Sequence, residues 1–286
     1  MKIYKGVYYI LISAFCFALM NVFVKLSGDL PSMQKSFFRN LVSCIFAIIL
    51  LVKAKEGFTC KRSDLPLLLL RSTLGTLGIL GNYYAVDHLL LADASMLNKL
   101  SPFFGIIFSA IFLKEKATGI QKLGVLLAFV GSLFIIKPGF QYDTIIPALA
   151  GFLGGMCAGG AYTCVRGLGK RKVPGAYIVF FFSAFSCLFT LPNLLLNYHP
   201  MTLTQLGCLL MAGLAAAGGQ FSITAAYRHA PAKEISVFDY SQVIFSALLG
   251  FVLFQQLPDG FSVLGYVIII VTAVYMFFYN KRIRTE

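Results

Sequence analysis

Charge is scarce in this chain, and acid is scarcer than base: 12% of its 286 residues are Asp, Glu, Lys or Arg, with 11 acids against 24 bases. A chain so poor in charge, 58% hydrophobic and with a mean hydropathy of +0.82, cannot hide its apolar surface in one soluble core. Chemistry motifs are missing too. There is no G-x-S-x-G nucleophile elbow, no H-E-x-x-H zinc pair and no phosphate-cradling G-x-x-x-x-G-K, so nothing in the chain reads as an enzyme. The seven cysteines include no C-x-x-C pair, and His88, His199 and His229 have no H-x-x-x-H companion. Neither set has metal-ligand spacing, so no metal or other cofactor is expected and the cysteines read as small packing residues.

What is present is apolar length. At about 20 residues per span, ten segments qualify, near 5–26, 32–53, 65–86, 92–113, 118–136, 145–166, 175–196, 203–226, 233–254 and 260–280. The remainder supplies only short loops, and no soluble domain fits in them. The first run begins after Lys2 and Lys5, has span length and lacks a small-residue cleavage site, which predicts a retained helix rather than a signal peptide. With a cytoplasmic N-terminus, 18 of the 24 basic residues fall on the inner face. They are Lys2 and Lys5; Lys53, Lys55, Lys61 and Arg62; Lys114, Lys116 and Lys122; Arg166, Lys170, Arg171 and Lys172; Arg228 and Lys233; and Lys281, Arg282 and Arg284. The positive-inside rule therefore predicts both termini in the cytoplasm and a multi-pass protein of the cytoplasmic (inner) membrane, with the bilayer as its partner. Base spread over short loops is a topology signal, not a nucleic-acid surface.

The two halves also repeat each other at a displacement of 141 positions. Cys16 matches Cys157, Lys25 matches Arg166, Gly78 matches Gly219, Ala85 matches Ala226, Ser95 matches Ser236 and Gly124 matches Gly265. The run F-L-K-E-K-A-T-G-I-Q-K-L-G (112–124) lies over L-F-Q-Q-L-P-D-G-F-S-V-L-G (253–265). This divides the chain into units 1–140 and 141–286 of five spans each. Five is odd, so the second unit enters the membrane from the opposite side, and the expected fold is an all-α integral membrane protein of two inverted five-helix repeats. That architecture underlies alternating access in many secondary transporters.

An ionisable group at membrane depth costs about 2.5–3.5 kcal/mol and calls for a partner or a water-filled cavity. Four stand out: Arg39 in the second span, Arg71 in the third, Lys99 in the fourth and Asp239 in the ninth. At about 1.5 Å per residue, Arg39 and Lys99 lie roughly 10 Å from the outer face and Arg71 and Asp239 roughly 9 Å from the inner one. Level alone then pairs Arg71 with Asp239. The displacement of 141 sets Asp239 over Asn98 and Tyr240 over Lys99, which predicts a cavity between the fourth and ninth spans. Three bases against one acid favour an anionic occupant, and a carboxylate is the obvious one.

Helical spacing marks the faces toward such a cavity. The stripes are Arg71, Gly75, Gly78 and Asn82; Asn98, Pro102, Gly105 and Ser109; Gly151, Gly155, Ala158 and Tyr162; Gly213, Ala217, Gln220 and Thr224; and Asp239, Gln242, Ser246 and Gly250. The small members fit close helix packing; Asn82, Asn98, Tyr162, Gln220, Asp239 and Gln242 are the better site candidates. Tyr83, Tyr84, Tyr162 and Tyr240 offer ring faces. Pro102 removes a helical hydrogen bond, and the carbonyl it frees at Asn98 is expected to face the cavity.

The stretch G-N-Y-Y-A-V-D-H-L-L-L-A-D-A-S-M-L-N-K-L-S-P-F-F-G-I-I-F-S-A-I-F-L-K-E-K (81–116) and its echo A-A-Y-R-H-A-P-A-K-E-I-S-V-F-D-Y-S-Q (225–242) resemble the EamA repeat of the ten-helix branch of the drug/metabolite transporter superfamily. The likeness runs through both halves. It implies a central cavity lined by spans 1, 3, 4, 6, 8 and 9, a small-molecule substrate, and transport without ATP, with H+ or a counter-solute as coupling partner. The acid that usually ends the fourth helix of each repeat is Glu115 here, but its echo is Gln256, which weakens a second gate if the acid serves one. R-S-T-L-G-T-L-G (71–78) with L-A-D-A-S (91–95) is similar to members moving carboxylates, amino acids and S-adenosylmethionine. The expectation is a secondary transporter of an organic acid, an amino acid or an S-adenosylmethionine-like solute, with Lys99 and Arg39 on its carboxylate. The alternative is an exporter of amphiphilic, cationic or drug-like compounds that meet Asp239.

Overall fold

The computed structural model describes residues 2–54, 60–112, 118–136, 142–229 and 236–282. Among them the secondary structure is helical throughout, with no strand. The helices are α1 (Lys2–Leu26), α2 (Ser32–Ala54), α3 (Leu65–His88), α4 (Leu91–Asn98), α5 (Ser101–Phe112), α6 (Gly119–Ile136), α7 (Tyr142–Lys170), α8 (Gly175–Leu196), α9 (Leu203–His229), α10 (Ser241–Phe254) and α11 (Gly260–Arg282). Eight of these segments are long and apolar enough to cross a membrane. The fourth and ninth sequence spans are not continuous helices. The fourth is split into α4 and α5 at Lys99 and Leu100, and the ninth opens with a 3-10 turn, Ser236–Tyr240, before α10.

Both breaks have local causes. Ring closure denies Pro102 an N–H to give to Asn98, but Pro102 stands in the first turn of α5, where that N–H has no intrahelical partner anyway. The proline therefore starts a second helix instead of kinking one long one. Leu100 N–H turns back onto the Leu97 carbonyl, and Leu100 O accepts from Phe103 and Phe104 to open α5. At 14 residues α10 is about 21 Å long, short of a 30 Å hydrocarbon core, so the ninth crossing needs the turn before it.

Ends are set by capping. Thr118 and Gln121 form a reciprocal box at the start of α6, as Thr202 and Gln205 do at α9. Asp259, 141 positions beyond Thr118, accepts the Ser262 N–H at the start of α11. The α1–α2 turn passes through Gly28 at φ +69°, a left-handed conformation that costs glycine little.

The bundle is polar inside and apolar outside. Ser13, Asn21, Ser36, Asn40, Ser72, Ser95, Ser183, Ser186 and Ser246 are buried, whereas Ile45, Ile49, Leu126, Leu133, Leu188, Phe251, Val267 and Val271 face outward. Burying hydroxyls and amides while presenting aliphatic side chains is unfavourable in water and favourable in lipid, where helices meet through small and polar residues.

The principal packing pairs are α1 with α9, α3 with α7, α2 with α8, α6 with α11, α2 with α9, α5 with α7, α1 with α10, α3 with α8 and α4 with α10. Ser13 donates to the Gly219 carbonyl at 2.9 Å. The positions 141 residues from these, Gly154 and Gly78, also meet: a Cβ added to Gly78 would lie 3.2 Å from the Gly154 carbonyl oxygen. On α6 and α11, a Cβ on Gly265 would fall 2.7 Å from Gly131 O. Helices pass this closely only where side chains are absent.

Candidate substrate site

Helices α4 and α10 lie antiparallel in a fixed register. Leu91 Cβ is 3.5 Å from where a side chain on Gly250 would begin, and the Ser95 and Ser246 hydroxyls share a hydrogen bond of 2.7 Å. The residue numbers of each facing pair add to 341. Only Leu100 and Ser241 satisfy that register and the 141-residue displacement together, and both helices break there.

Within a turn of that point, Lys99 Nζ donates to Asp239 Oδ2 at 2.6 Å, with the two side chains 5% and 12% exposed. This corrects the expected pairing of Arg71 with Asp239. Depth counted along an unbroken helix places Asp239 too far from Lys99; with the ninth crossing starting its α-helix only at Ser241, Asp239 stands at the head of α10, within reach of a lysine stem leaving the end of α4. Lys99 is thereby neutralised, and the lysine that sequence reasoning ranked first for an anion is already taken.

The guanidiniums are not neutralised in this way. Arg71, 4% exposed, lies flat over the Phe182 ring with Cζ 3.8 Å from the centroid, a cation–π stack between α3 and α8. Its Nε and Nη1 meet no hydrogen-bond acceptor among the described residues. Gly75, one turn along, makes room for it: a Cβ there would collide with Arg71 Nη1 and lie 2.8 Å from the Phe182 ring. Arg39, 2% exposed, gives Nη1 to Asn40 Oδ1 at 2.6 Å and leaves Nε without an acceptor among the described residues. Asn40 is held in turn by the Ser36 carbonyl and hydroxyl and by Ser186 Oγ at 2.9 Å.

Arg39 and Arg71 are close enough to act electrostatically on each other and on Tyr162, Tyr162 is within such reach of Asp239 as well, and Tyr83 lies beside Arg39. Tyr162 is 38% exposed while standing among these interior groups, as a ring facing an internal opening would be. Tyr240 is buried at the head of α10, and Gln242 is buried within its first turn.

Other expected residues lie apart. Tyr84 stacks on His88 near the C-terminal end of α3, ring centroids 4.4 Å apart. Asn82 donates to Asn21 Oδ1 at 3.2 Å, and Asn21 donates to Ser95 Oγ at 3.4 Å, so Asn82 belongs to a polar chain ending at Ser246. Asn98 is partly buried at the end of α4, and Gln220 is partly buried in α9. Gln256 accepts the Leu91 N–H at 3.1 Å, tying the end of α10 to the start of α4; an amide oxygen does there what a carboxylate would. Glu115, the other member of that pair, lies outside the described residues.

Sequence reasoning missed three polar residues. Asn21 and Asn40 were legible as amides inside apolar runs. Lys35, fully buried, binds Asp87 at 2.6 Å, and Lys25 Nζ caps the Val86 and Leu89 carbonyls beside it. The signal was a base three residues inside a span whose acid ends another.

The EamA-like transporter family matches residues 4–137 and again 145–278. The chain belongs to the EamA-like transporter family. It is therefore a membrane transporter of the drug/metabolite superfamily and not an enzyme. It is 34% identical over 273 residues to the pseudopaline exporter CntI of Pseudomonas aeruginosa, covering 94% of this chain and 95% of the relative. Human solute carrier family 35 member G1 is 28% identical over 287 residues, covering 94% and 78%. A protein of known crystal structure superposes with a TM-score of 0.68 at 14% identity, covering 94% of this chain and 95% of the other, which speaks for the fold alone.

Proposed function

We propose that this EamA-family transporter is a secondary carrier that moves a small carboxylate-bearing solute outward across the cytoplasmic membrane, driven by H+ or a counter-solute. One observation carries the reading: Arg39 and Arg71 are buried, mutually close and without a counter-charge among the described residues, beside a Lys99–Asp239 pair that is already neutral. Two unmatched cations in a membrane interior call for an anion. The carboxylate docks on the guanidiniums rather than on Lys99, with Tyr162 and Tyr83 flanking it. The outward direction rests on the relative named as an exporter. Cationic substrates are disfavoured, because the acid they need is matched by Lys99.

Residues 1–140 and 141–286 act as inverted repeats that rock about the site. The equivalent contacts Ser13–Gly219 and Gly154–Gly78, and packing pairs that exchange when the halves are exchanged, support this. Counterflow of radiolabelled carboxylates in proteoliposomes tests the reading: Arg71→Gln and Arg39→Gln should each lower exchange at least tenfold, and unchanged exchange in both removes the proposal.

A further inference from the structure

The two guanidiniums present more than one anion's worth of charge and hydrogen bonding. We infer that, within the carboxylate reading above on which this rests, the occupant presents two negative charges on oxygen, as a dicarboxylate or phosphomonoester does, and spans Arg71 and Arg39 together.

The charge balance leads there. The Asp239 charge is matched by Lys99, that of Asp87 by Lys35 and that of Asp64 by Arg171, while Asp93 accepts from the Tyr266 hydroxyl at 2.6 Å. Among the described residues no carboxylate pairs with Arg39 or Arg71, whose two positive charges repel each other. A monocarboxylate leaves one of those charges standing; a divalent head removes both.

Donor geometry leads to the same place. Stacking on Phe182 occupies a face of Arg71 and leaves Nε and Nη1, donors on opposite sides of the guanidinium, without an acceptor among the described residues, so that ligand oxygens can approach in the guanidinium plane from either side. Arg39, held through Nη1 by Asn40, has a further donor, Nε, without an acceptor among the described residues. On the same helices, Ser43 of α2, Ser72 and Thr76 of α3 and Ser183 of α8 carry buried hydroxyls with no partner among the described residues. Each lies within five positions of Arg39 or Arg71 along the helix or adjoins Phe182. Every guanidinium N–H and hydroxyl O–H in the set can donate, which suits a ligand that brings several oxygens.

The test is thermal unfolding of the full chain in detergent at pH 8, with matched probes: succinate against monomethyl succinate, and inorganic phosphate against dimethyl phosphate. At least one divalent member should protect at a tenfold or more lower concentration than its monovalent partner, and which pair separates tells dicarboxylate from phosphate. Arg39→Gln should erase that gap. Arg71→Lys, which keeps the charge and loses the separate in-plane donors, should narrow it while the chain stays folded. If neither pair separates, or the gap survives Arg39→Gln, the inference is overturned. Equal protection by succinate and its monoester, lost in Arg71→Gln, sinks the divalent occupant but leaves the carboxylate reading standing; carboxylate counterflow indifferent to Arg71→Gln removes both.

Discussion

Replacing Asp239 with Asn removes one charge from a contact of 2.6 Å whose members are almost wholly out of solvent. At an effective dielectric of 20, unit charges at that separation attract by about 6 kcal/mol. Withdrawing the two ions from water costs several kcal/mol each. The intact pair therefore contributes little net stability. The single variant is different: the attraction goes while the Lys99 ammonium stays buried, and breaking a buried pair in this way costs about 3–5 kcal/mol. Asp239→Asn should lower the melting temperature of the detergent-purified protein by on the order of 10 °C. The double variant Lys99→Met/Asp239→Leu, which leaves no charge behind, should recover most of that loss. A thermodynamic cycle over wild type, both singles and the double measures the coupling. A loss below about 1 kcal/mol for Asp239→Asn, or a double variant as unstable as the sum of the singles, would refute the reasoning.

Gly75→Ala should drive the Arg71 guanidinium off Phe182 and cut transport about tenfold, and its cost in melting temperature should shrink in an Arg71→Ala background. Gly265→Ala puts a methyl 2.7 Å from the Gly131 carbonyl and should destabilise the α6–α11 pair by about 1–3 kcal/mol without altering the transport KM. Gln256→Glu restores the acid of the first repeat while keeping an oxygen for the Leu91 N–H, so transport should stay within about twofold of wild type in the same proteoliposome assay. A tenfold change would mean that this contact is more than a helix-end tie.

Eight long spans were legible because about 20 consecutive apolar residues leave a chain little choice but a membrane helix. The fourth and ninth were not, because an apolar run reads the same whether one helix or two occupy it; Pro102 was read as freeing the Asn98 carbonyl inside one span when it starts a second helix. That error carried into the site. Lys99, Asp239, Arg39 and Arg71 were recognisable singly, since an ion in a lipid span has few idle uses. Who pairs with whom depended on where the helices break. Phe182 and Asn40 escaped notice for another reason: their roles come from the arginines they touch, and a Phe among the phenylalanines of α8 carries no sign of the cation above it.

The position of the ion pair bears on how the proposed rocking works. The α4–α10 register and the 141-residue displacement coincide at Leu100 and Ser241, so under the proposed inverted repeat the axis relating the two halves passes beside Lys99 and Asp239. The symmetry-equivalent positions are Tyr240 and Asn98, a neutral couple, so the halves have diverged where they meet. Groups beside such an axis lie at equal depth from the two faces, so the exchange of one facing state for the other leaves their level unchanged. A closed ion pair there can persist while Arg39 and Arg71, on α2 and α3, are exposed first to one side and then to the other. The pair is then a pivot and not a gate. Lys99→Cys/Asp239→Cys bridged by a short bifunctional thiol reagent should keep at least a third of the exchange rate of the unbridged double variant. Exchange that stops on bridging would show that the pair must open, and would return Asp239 to the list of groups that meet the solute.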